Sequence, residues 1–434
     1  MRLRATEVAA ATGGTLLGPD AEIEGAAVDS RTLRGGELFV ALKAERNGHD
    51  FVEAAFEAGA AASLVSAETP RVPAVLVDDT LRALTSLATA ARARIGGTVI
   101  GITGSVGKTS TKDLLAAALG RRFRVSASAR SFNNELGVPL TVLNTPDDAE
   151  ALVVEMGARG RGHIASLCAV ARPSIGVVTT VGLSHAEFFG TLDDVVRAKG
   201  ELVESLPAHG TAVLNADVDL VAAMAERTEA QVLTFGLAAA DVRAEDVSLD
   251  DDLRASFRLR TPWGSAGVRL HIRGHHQVGN ALAAAAAALA GGATVDDVAA
   301  GLGDARLSPW RMQLERSPSG ALILNDAYNA NPLSSEAALR ALANLPAERR
   351  TAVLGIMAEL GDVGPAEHAR IGALAAELGI RLIAVGAPDY GGEQVASAEE
   401  ALDRLGPLGP GDAVLVKGSR AAGLERLADS LAGS

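Results

Sequence analysis

The stretch Gly101-Ile-Thr-Gly-Ser-Val-Gly-Lys-Thr109 combines residue types and spacing suited to holding a phosphate chain. Gly104 and Gly107 let the backbone curl, so that N–H groups across Gly104, Ser105, Val106, Gly107, Lys108, Thr109 and Ser110 can face phosphate oxygens. Lys108 adds a positive charge, and the Thr109 hydroxyl is a hard oxygen ligand for Mg2+. The strict phosphate-loop pattern puts a glycine five residues before Gly107; Ile102 stands there, and Gly101 lies one place further back. A structural turn that happens to precede Lys-Thr is the alternative. The strand context and the Gly-Lys-Thr triplet favour the nucleotide reading. A second chemical group, Glu155, directly follows the apolar run Ala151-Leu-Val-Val154. That places its carboxylate at the C-terminal edge of a strand, where ligands gather in open α/β sheets, unless it is simply a solvated strand end.

The elements that position these groups alternate. Thr98–Thr103 reads as a β-branched strand, and Lys112–Leu119 as the helix after the loop. Further strands are expected at 175–179 and 211–214 with helices between, which indicates an α/β unit built on a mainly parallel sheet. Residues 241–273 read as paired short strands around a turn at Thr261-Pro-Trp-Gly264, a β insertion on the same unit. Upstream, strands are expected at 37–42 and 74–78, and helices at 51–58 (ended by Gly59) and 81–95. Gly96-Gly97 closes that region. Downstream, Leu307-Ser-Pro-Trp-Arg-Met312 marks a second boundary, followed by strands at 321–324, 351–354, 381–385 and 413–416. The expected division is therefore 1–97, 98–312 and 313–434, three α/β domains. Ala281–Ala290, nearly all alanine, reads as a tightly packed buried helix.

Composition narrows the function classes. With 40 Lys+Arg against 53 Asp+Glu the net charge is −13, which argues against nucleic acid as a partner. Charged residues are 21% and hydrophobic ones 48%, a packed globular balance; with 3% aromatic residues, the cores must be aliphatic. The single Cys168 excludes an internal disulfide framework and a cysteine-rich zinc site. No secretory signal or apolar run long enough to span a membrane is visible, so a cytoplasmic protein is expected. The absence of Gly-x-Gly-x-x-Gly leaves no positive signal for a dinucleotide cofactor. No repeat or coiled coil is evident, and a monomer is expected.

Thr103-Gly-Ser-Val-Gly-Lys-Thr-Ser-Thr-Lys-Asp113 resembles the ATP loop of the Mur ligases, including its shifted first glycine, and is most similar to the MurF type. Ser131-Phe-Asn-Asn-Glu-Leu-Gly-Val-Pro-Leu-Thr141, Glu155-Met-Gly-Ala158 and Asn325-Asp-Ala-Tyr-Asn-Ala-Asn-Pro332 match as well. So do Val28-Asp-Ser-Arg31 near the N-terminus and Lys417-Gly-Ser-Arg420 near the C-terminus. The resemblance implies a small UDP-substrate domain, a central ATPase-like parallel sheet with the β insertion, and a Rossmann-like C-terminal domain. The implied reaction adds D-alanyl-D-alanine to UDP-N-acetylmuramoyl-tripeptide (UDP-MurNAc-tripeptide): ATP phosphorylates the carboxylate, and the amine displaces phosphate.

By the same resemblance, Glu155 ligates Mg2+ with Thr109, and His185 serves a second metal ion. Lys199 matches the lysine that Mur ligases carbamylate, and Asn280 the asparagine that binds adenine. Arg311 and Asp326 are implied for ATP phosphate and for ribose or metal-bound water, with Tyr328 and Asn329 at the nucleotide. Asn331, Lys417 and Ser419 are implied for the incoming amine, Asn133 and Asn134 for the muramoyl-peptide, and Ser30 and Arg31 for the uridine diphosphate. Three positions depart from the family pattern: Ile356 replaces an acidic residue, Leu333-Ser-Ser335 replaces Asp-Ser-Met, and Thr180 replaces Asn. Two of these lie in the region expected to select the amine. A MurF-like ligase for another amino acid or dipeptide is therefore the second reading, and a non-catalytic nucleotide-binding scaffold the third.

Overall fold

The computed structural model describes residues 1–69, 71–129, 131–182 and 186–433. Its elements form three main sheets in chain order. The first has five strands, ordered Thr15–Leu17, Ala74–Leu76, Ala62–Val65, Leu38–Val40 and Ala26–Ala27. All neighbours pair in parallel except Thr15–Leu17 with Ala74–Leu76. A small antiparallel pair, Arg2–Arg4 with Glu22–Glu24, stands beside it. Helix Thr80–Ala91 begins where Asp79 accepts hydrogen bonds from the N–H groups of Leu81 and Arg82. Its inner face (Ala83, Leu84, Leu87, Ala88) joins an apolar cluster that runs on into Val138, Val154 and Leu202. The chain turns at Gly96-Gly97, but the apolar packing continues across the turn.

The second sheet has nine strands. Thr98–Thr103 lies between Ala151–Glu155 and Ile175–Val178, in parallel with both. The sequence shows why: these runs are apolar at nearly every position, as strands covered on both faces must be. Residues 241–273 do not stand apart. Strand Val242–Leu249 pairs in parallel with Gln231–Gly236, and Arg254–Thr261 and Gly264–Arg273 follow as an antiparallel edge of the same sheet. Strands Val125–Ala127, Gln231–Gly236, Ala62–Val65 and Glu393–Val395 were not expected. Each is short or mixes exposed and buried positions, so its hydrophobic run is weak.

The alanine-rich segment forms helix His276–Ala290, and its stretch Ala281 to Ala288 is fully buried. Small side chains let this helix lie close to helix Lys108–Leu119 and the sheet. Gly301, in the next helix, passes so near the backbone of Ala117 and Ala118 that any side chain there would collide with it.

The third sheet has six strands, ordered Gln313–Arg316, Leu322–Asn325, Asp412–Lys417, Arg349–Gly355, Arg381–Val385 and Glu393–Val395, all parallel except the first pair. Apolar clusters cover both of its faces. Among the described residues, no helix is long and apolar enough to cross a membrane.

Candidate active site

The C-terminal ends of the central strands open onto a cavity of about 750 Å³ that the third sheet completes from the other side. The phosphate loop enters it between strand Thr98–Thr103 and helix Lys108–Leu119. Gly104 (φ 150°) and Gly107 (φ 85°) hold backbone conformations that suit glycine. There is no room for side chains either: a β-carbon on Gly104 would strike Thr179 Oγ1, and one on Gly107 would strike Asn280 Oδ1. The Thr179 hydroxyl donates to Val106 O at 2.6 Å, fastening the loop to the neighbouring strand end. Lys108 Nζ donates to Gly104 O at 2.7 Å, and burial, with the Arg311 charge adding to it against Glu155, pulls its pKa below the usual lysine value.

Thr109 and Glu155 meet at the cavity floor. The Thr109 hydroxyl donates to Glu155 Oε2 at 2.8 Å, and Asn133 Nδ2 donates to Glu155 Oε1 at 2.8 Å. Glu155, the last residue of its strand, is 1% exposed. A buried carboxylate with a hydroxyl beside it is a hard oxygen donor set. No cluster of three His, Cys, Asp or Glu exists among the described residues. Such a sparse set suits Mg2+, which keeps waters and takes phosphate oxygens, better than a metal needing a full protein cage.

Lys199, on helix Leu192–Glu204, is 1% exposed and faces the same cavity. Its ammonium lies 5.9 Å from the centre of the Phe189 ring. Burial first, and the Lys108 charge second, hold its pKa well below the usual lysine value. Lys108 and Lys199 therefore face the same cavity as Glu155.

From the other side, Arg311 Nη2 donates to Thr109 Oγ1 at 3.0 Å and Ser131 Oγ at 3.2 Å, with the guanidinium 4.0 Å from the Tyr328 ring centre. Lys417, at the end of strand Asp412–Lys417, pairs with Asp326 and donates to Asn329 O at 2.8 Å. Asp326 Oδ1 accepts from Met312 N at 3.1 Å.

Comparison with known proteins places this geometry. A model of the Mur ligase middle domain matches residues 102–288, and one described as the Mur ligase, glutamate ligase domain matches residues 310–420. The UDP-N-acetylmuramoyl-tripeptide–D-alanyl-D-alanine ligase of Mycobacterium tuberculosis (strain ATCC 25618 / H37Rv) is 44% identical over 464 aligned residues, covering 93% of this chain and 91% of its own. The chain belongs to the Mur ligase family. The Escherichia coli (strain K12) protein of the same name is 37% identical, covering 96% of each chain. A crystal structure of MurF from Acinetobacter baumannii superposes on this Mur ligase with a TM-score of 0.90 at 31% identity, over 100% of this chain and 99% of that one. MurF from Thermotoga maritima in complex with ADP gives a TM-score of 0.82 at 29% identity, over 94% and 97%.

Of the residues singled out in the sequence of this Mur ligase, the cavity gathers Ser105 to Ser110, Asn133, Asn134, Glu155, Lys199, Asn280, Arg311, Asp326, Tyr328, Asn329, Asn331 and Lys417. His185 lies outside the described residues. Ser30 and Arg31 sit in a tight turn of the first unit, with Arg31 paired to Asp29, and do not line the cavity. Ser419 does not line it either: its hydroxyl accepts from Ala358 N and donates to Ala330 O, binding two loops together. Lys417 is committed to Asp326. Asn331 caps helix Pro332–Ala343 through a hydrogen bond from Ser334 N. Asn280 is the fifth residue of helix His276–Ala290, and its Nδ2 donates to Gln277 Oε1 at 2.8 Å.

The cavity also contains residues the sequence reading passed over, among them Ser131, Asn215, His276 and Gln277. Ser131 opens a stretch already picked out by resemblance, and His276 and Gln277 stand one helical turn before Asn280. Asn215 ends strand Thr211–Asn215, so the strand-end argument applied to Glu155 would have found it.

Proposed function

We propose that the cavity activates the carboxylate of UDP-MurNAc-tripeptide with the γ-phosphate of ATP and couples the resulting acyl phosphate to D-alanyl-D-alanine. The observation that carries this reading is the convergence of Lys108, Lys199 and the Thr109–Glu155–Asn133 chain in one cavity shared by two sheets. The reaction must bring two anions, a carboxylate and a phosphate, into line, which needs concentrated and pre-oriented positive charge. In this reading the loop N–H groups and Lys108 hold the β- and γ-phosphates, and Arg311 neutralises charge from the opposite wall. Asn280 faces the adenine edge with its amide, and Asp326 the ribose. Asn133 and Asn134 orient the peptide carboxylate beside Glu155.

Thr109 and Glu155 would hold Mg2+, with His185 the candidate for a second ion. Bound there, magnesium supplies charge neutralisation at the phosphate oxygens. Lys199 belongs to that site as a carbamate: its neutral amine adds CO2, releasing a proton and leaving anionic oxygens where an ammonium would repel the metal. Addition requires the unprotonated amine, and burial beside Lys108 favours that form. Once the acyl phosphate exists, water must be kept from it. The third sheet does this by closing the cavity with Tyr328, Asn329 and the start of helix Pro332–Ala343. The dipeptide amine attacks the acyl carbon, the C–O bond to phosphate breaks, and orthophosphate leaves.

Ser30 and Arg31 remain our candidates for the uridine diphosphate, which binds away from the reacting centre. Asn331 borders the amine's path. Lys417 and Ser419 act on the amine site through the loops they hold. The use of ATP and a UDP-linked substrate supports a cytoplasmic reaction, and a cavity completed within one chain is compatible with a monomer.

Incubation with UDP-MurNAc-tripeptide, D-alanyl-D-alanine, ATP and Mg2+ tests the reading. Phosphate release that depends on the dipeptide supports it; ATP binding without turnover would favour a scaffold. Replacing the dipeptide by other amines separates it from a ligase of different specificity.

A further inference from the structure

The Thr109 hydroxyl already has its proton and one lone pair engaged. A hydroxyl has one proton and two lone pairs. The proton goes to Glu155 Oε2, Arg311 Nη2 fills an acceptor position from 3.0 Å, and Ser131 Oγ stands 3.3 Å away. The same Nη2 donates to Ser131 Oγ at 3.2 Å, so one guanidinium nitrogen holds both hydroxyls. A divalent cation approaching Thr109 and Glu155 meets a positive group already seated on its ligand.

Arg311 is delivered to that place by the other side of the cavity. Its neighbours Trp310 (φ 60°) and Met312 (φ 51°) both adopt left-handed backbone, which residues with side chains rarely do. Two hydrogen bonds from the third unit hold them there: Met312 N donates to Asp326 Oδ1, and Tyr328 N donates to Trp310 O at 3.2 Å. The Tyr328 ring lies under the guanidinium itself.

We propose that Arg311 keeps the magnesium position closed until a nucleotide phosphate draws the guanidinium away, and that Tyr328 is the positioning residue that keeps Arg311 within reach of both places. This rests on the reading of Thr109 and Glu155 as the magnesium ligands. The exchange is chemically directed: a phosphate is multiply charged and matches the guanidinium fork, whereas Thr109 and Ser131 offer neutral hydroxyls. The hydroxyl is thereby freed as phosphate oxygens arrive to supply further ligands for the cation. Metal uptake then follows or accompanies nucleotide uptake, and the two bindings reinforce each other reciprocally.

Mn2+ titrations of the full-length protein, read by electron paramagnetic resonance of the free ion with and without ADP, test this. Without ADP, Arg311→Gln should bind Mn2+ at least about tenfold more tightly than wild type, and its enhancement by ADP should shrink to match. Tyr328→Phe, which keeps the ring, should behave as wild type; Tyr328→Leu should shift in the same direction as Arg311→Gln. Unchanged Mn2+ affinity in Arg311→Gln without ADP overturns the proposal. Thr109→Val separates the two levels. If Mn2+ affinity with ADP does not fall in that variant, the assignment of the metal site has failed. If it falls while Arg311→Gln is unchanged, the closing role of Arg311 alone has failed.

Discussion

Replacing Glu155 by Gln removes a charge while keeping the shape of the side chain. In the wild type both carboxylate oxygens accept, one from the Thr109 hydroxyl and one from Asn133 Nδ2, each at 2.8 Å. A glutamine offers one acceptor and one donor. Its oxygen can keep Asn133, but its NH2 then faces Thr109, whose hydroxyl must turn and send its proton elsewhere. Ser131 Oγ, 3.3 Å away, is within reach. The network can therefore re-form, trading two charge-assisted bonds for neutral ones at a cost of about 1–3 kcal/mol. The effect on the reaction should be larger. Glu155 is the carboxylate this account gives to the metal, and losing it should slow turnover at least about 100-fold, or about 2.7 kcal/mol in the barrier. Dipeptide-dependent phosphate release at saturating ATP measures the rate, and thermal unfolding without ligands measures the stability. Turnover within a few-fold of wild type, with a shifted melting temperature, would show that Glu155 is structural and refute the reasoning.

Three further outcomes follow from the same geometry. Lys199 titrates below its ordinary value in the folded chain, so the unfolded chain binds the extra proton between the folded pKa and about 10.4, and stability there rises with pH. Lys199→Met should accordingly raise the melting temperature at pH 7 in bicarbonate-free buffer while nearly abolishing turnover; a lower melting temperature would mean the ammonium is well compensated. His276 is held down to about 4 by burial, with Lys417 adding to that and Asp326 opposing it. Stability should therefore fall as pH drops from about 6.5 to 4, and wild type should lose about 2–3 kcal/mol relative to His276→Gln across that window in chemical denaturation, whereas parallel curves would count against a neutral imidazole in the folded chain. Gly107→Ala must hold φ 85° and push aside Asn280 Oδ1, so its KM for ATP should rise at least about tenfold, with about 1–2 kcal/mol of stability lost; an unchanged KM would separate Asn280 from the nucleotide.

Much of the site was legible because local pattern and tertiary placement coincide there. The loop from Gly104 to Thr109 follows an apolar strand, and Glu155 ends another, so sequence order alone put both at the same sheet edge. Arg311 was legible only by resemblance. Its reach to Thr109 depends on left-handed backbone at Trp310 and Met312, which nothing in those residue types announces. Lys417 and Ser419 lie in a recognisable stretch, yet their partners, Asp326 and the backbone of Ala330 and Ala358, are far away in sequence. Their commitment to those partners is a product of the third sheet's pairing. The same holds in the second sheet, where Val242–Leu249, inside the antiparallel edge, joins a parallel neighbour through a few residues that no periodicity marks. The alanine helix was the opposite case: side chains that small and that apolar can be accommodated only by close packing, and the helix is buried throughout its middle.

In the proposed reaction the peptide carboxylate is phosphorylated before the amine attacks. UDP-MurNAc-tripeptide labelled with oxygen-18 in its terminal carboxylate tests it most directly, with mass analysis of the phosphate released during coupling to D-alanyl-D-alanine. Transfer of one labelled oxygen to each orthophosphate is the predicted result. Coupling that yields unlabelled phosphate would contradict an acyl phosphate on the path.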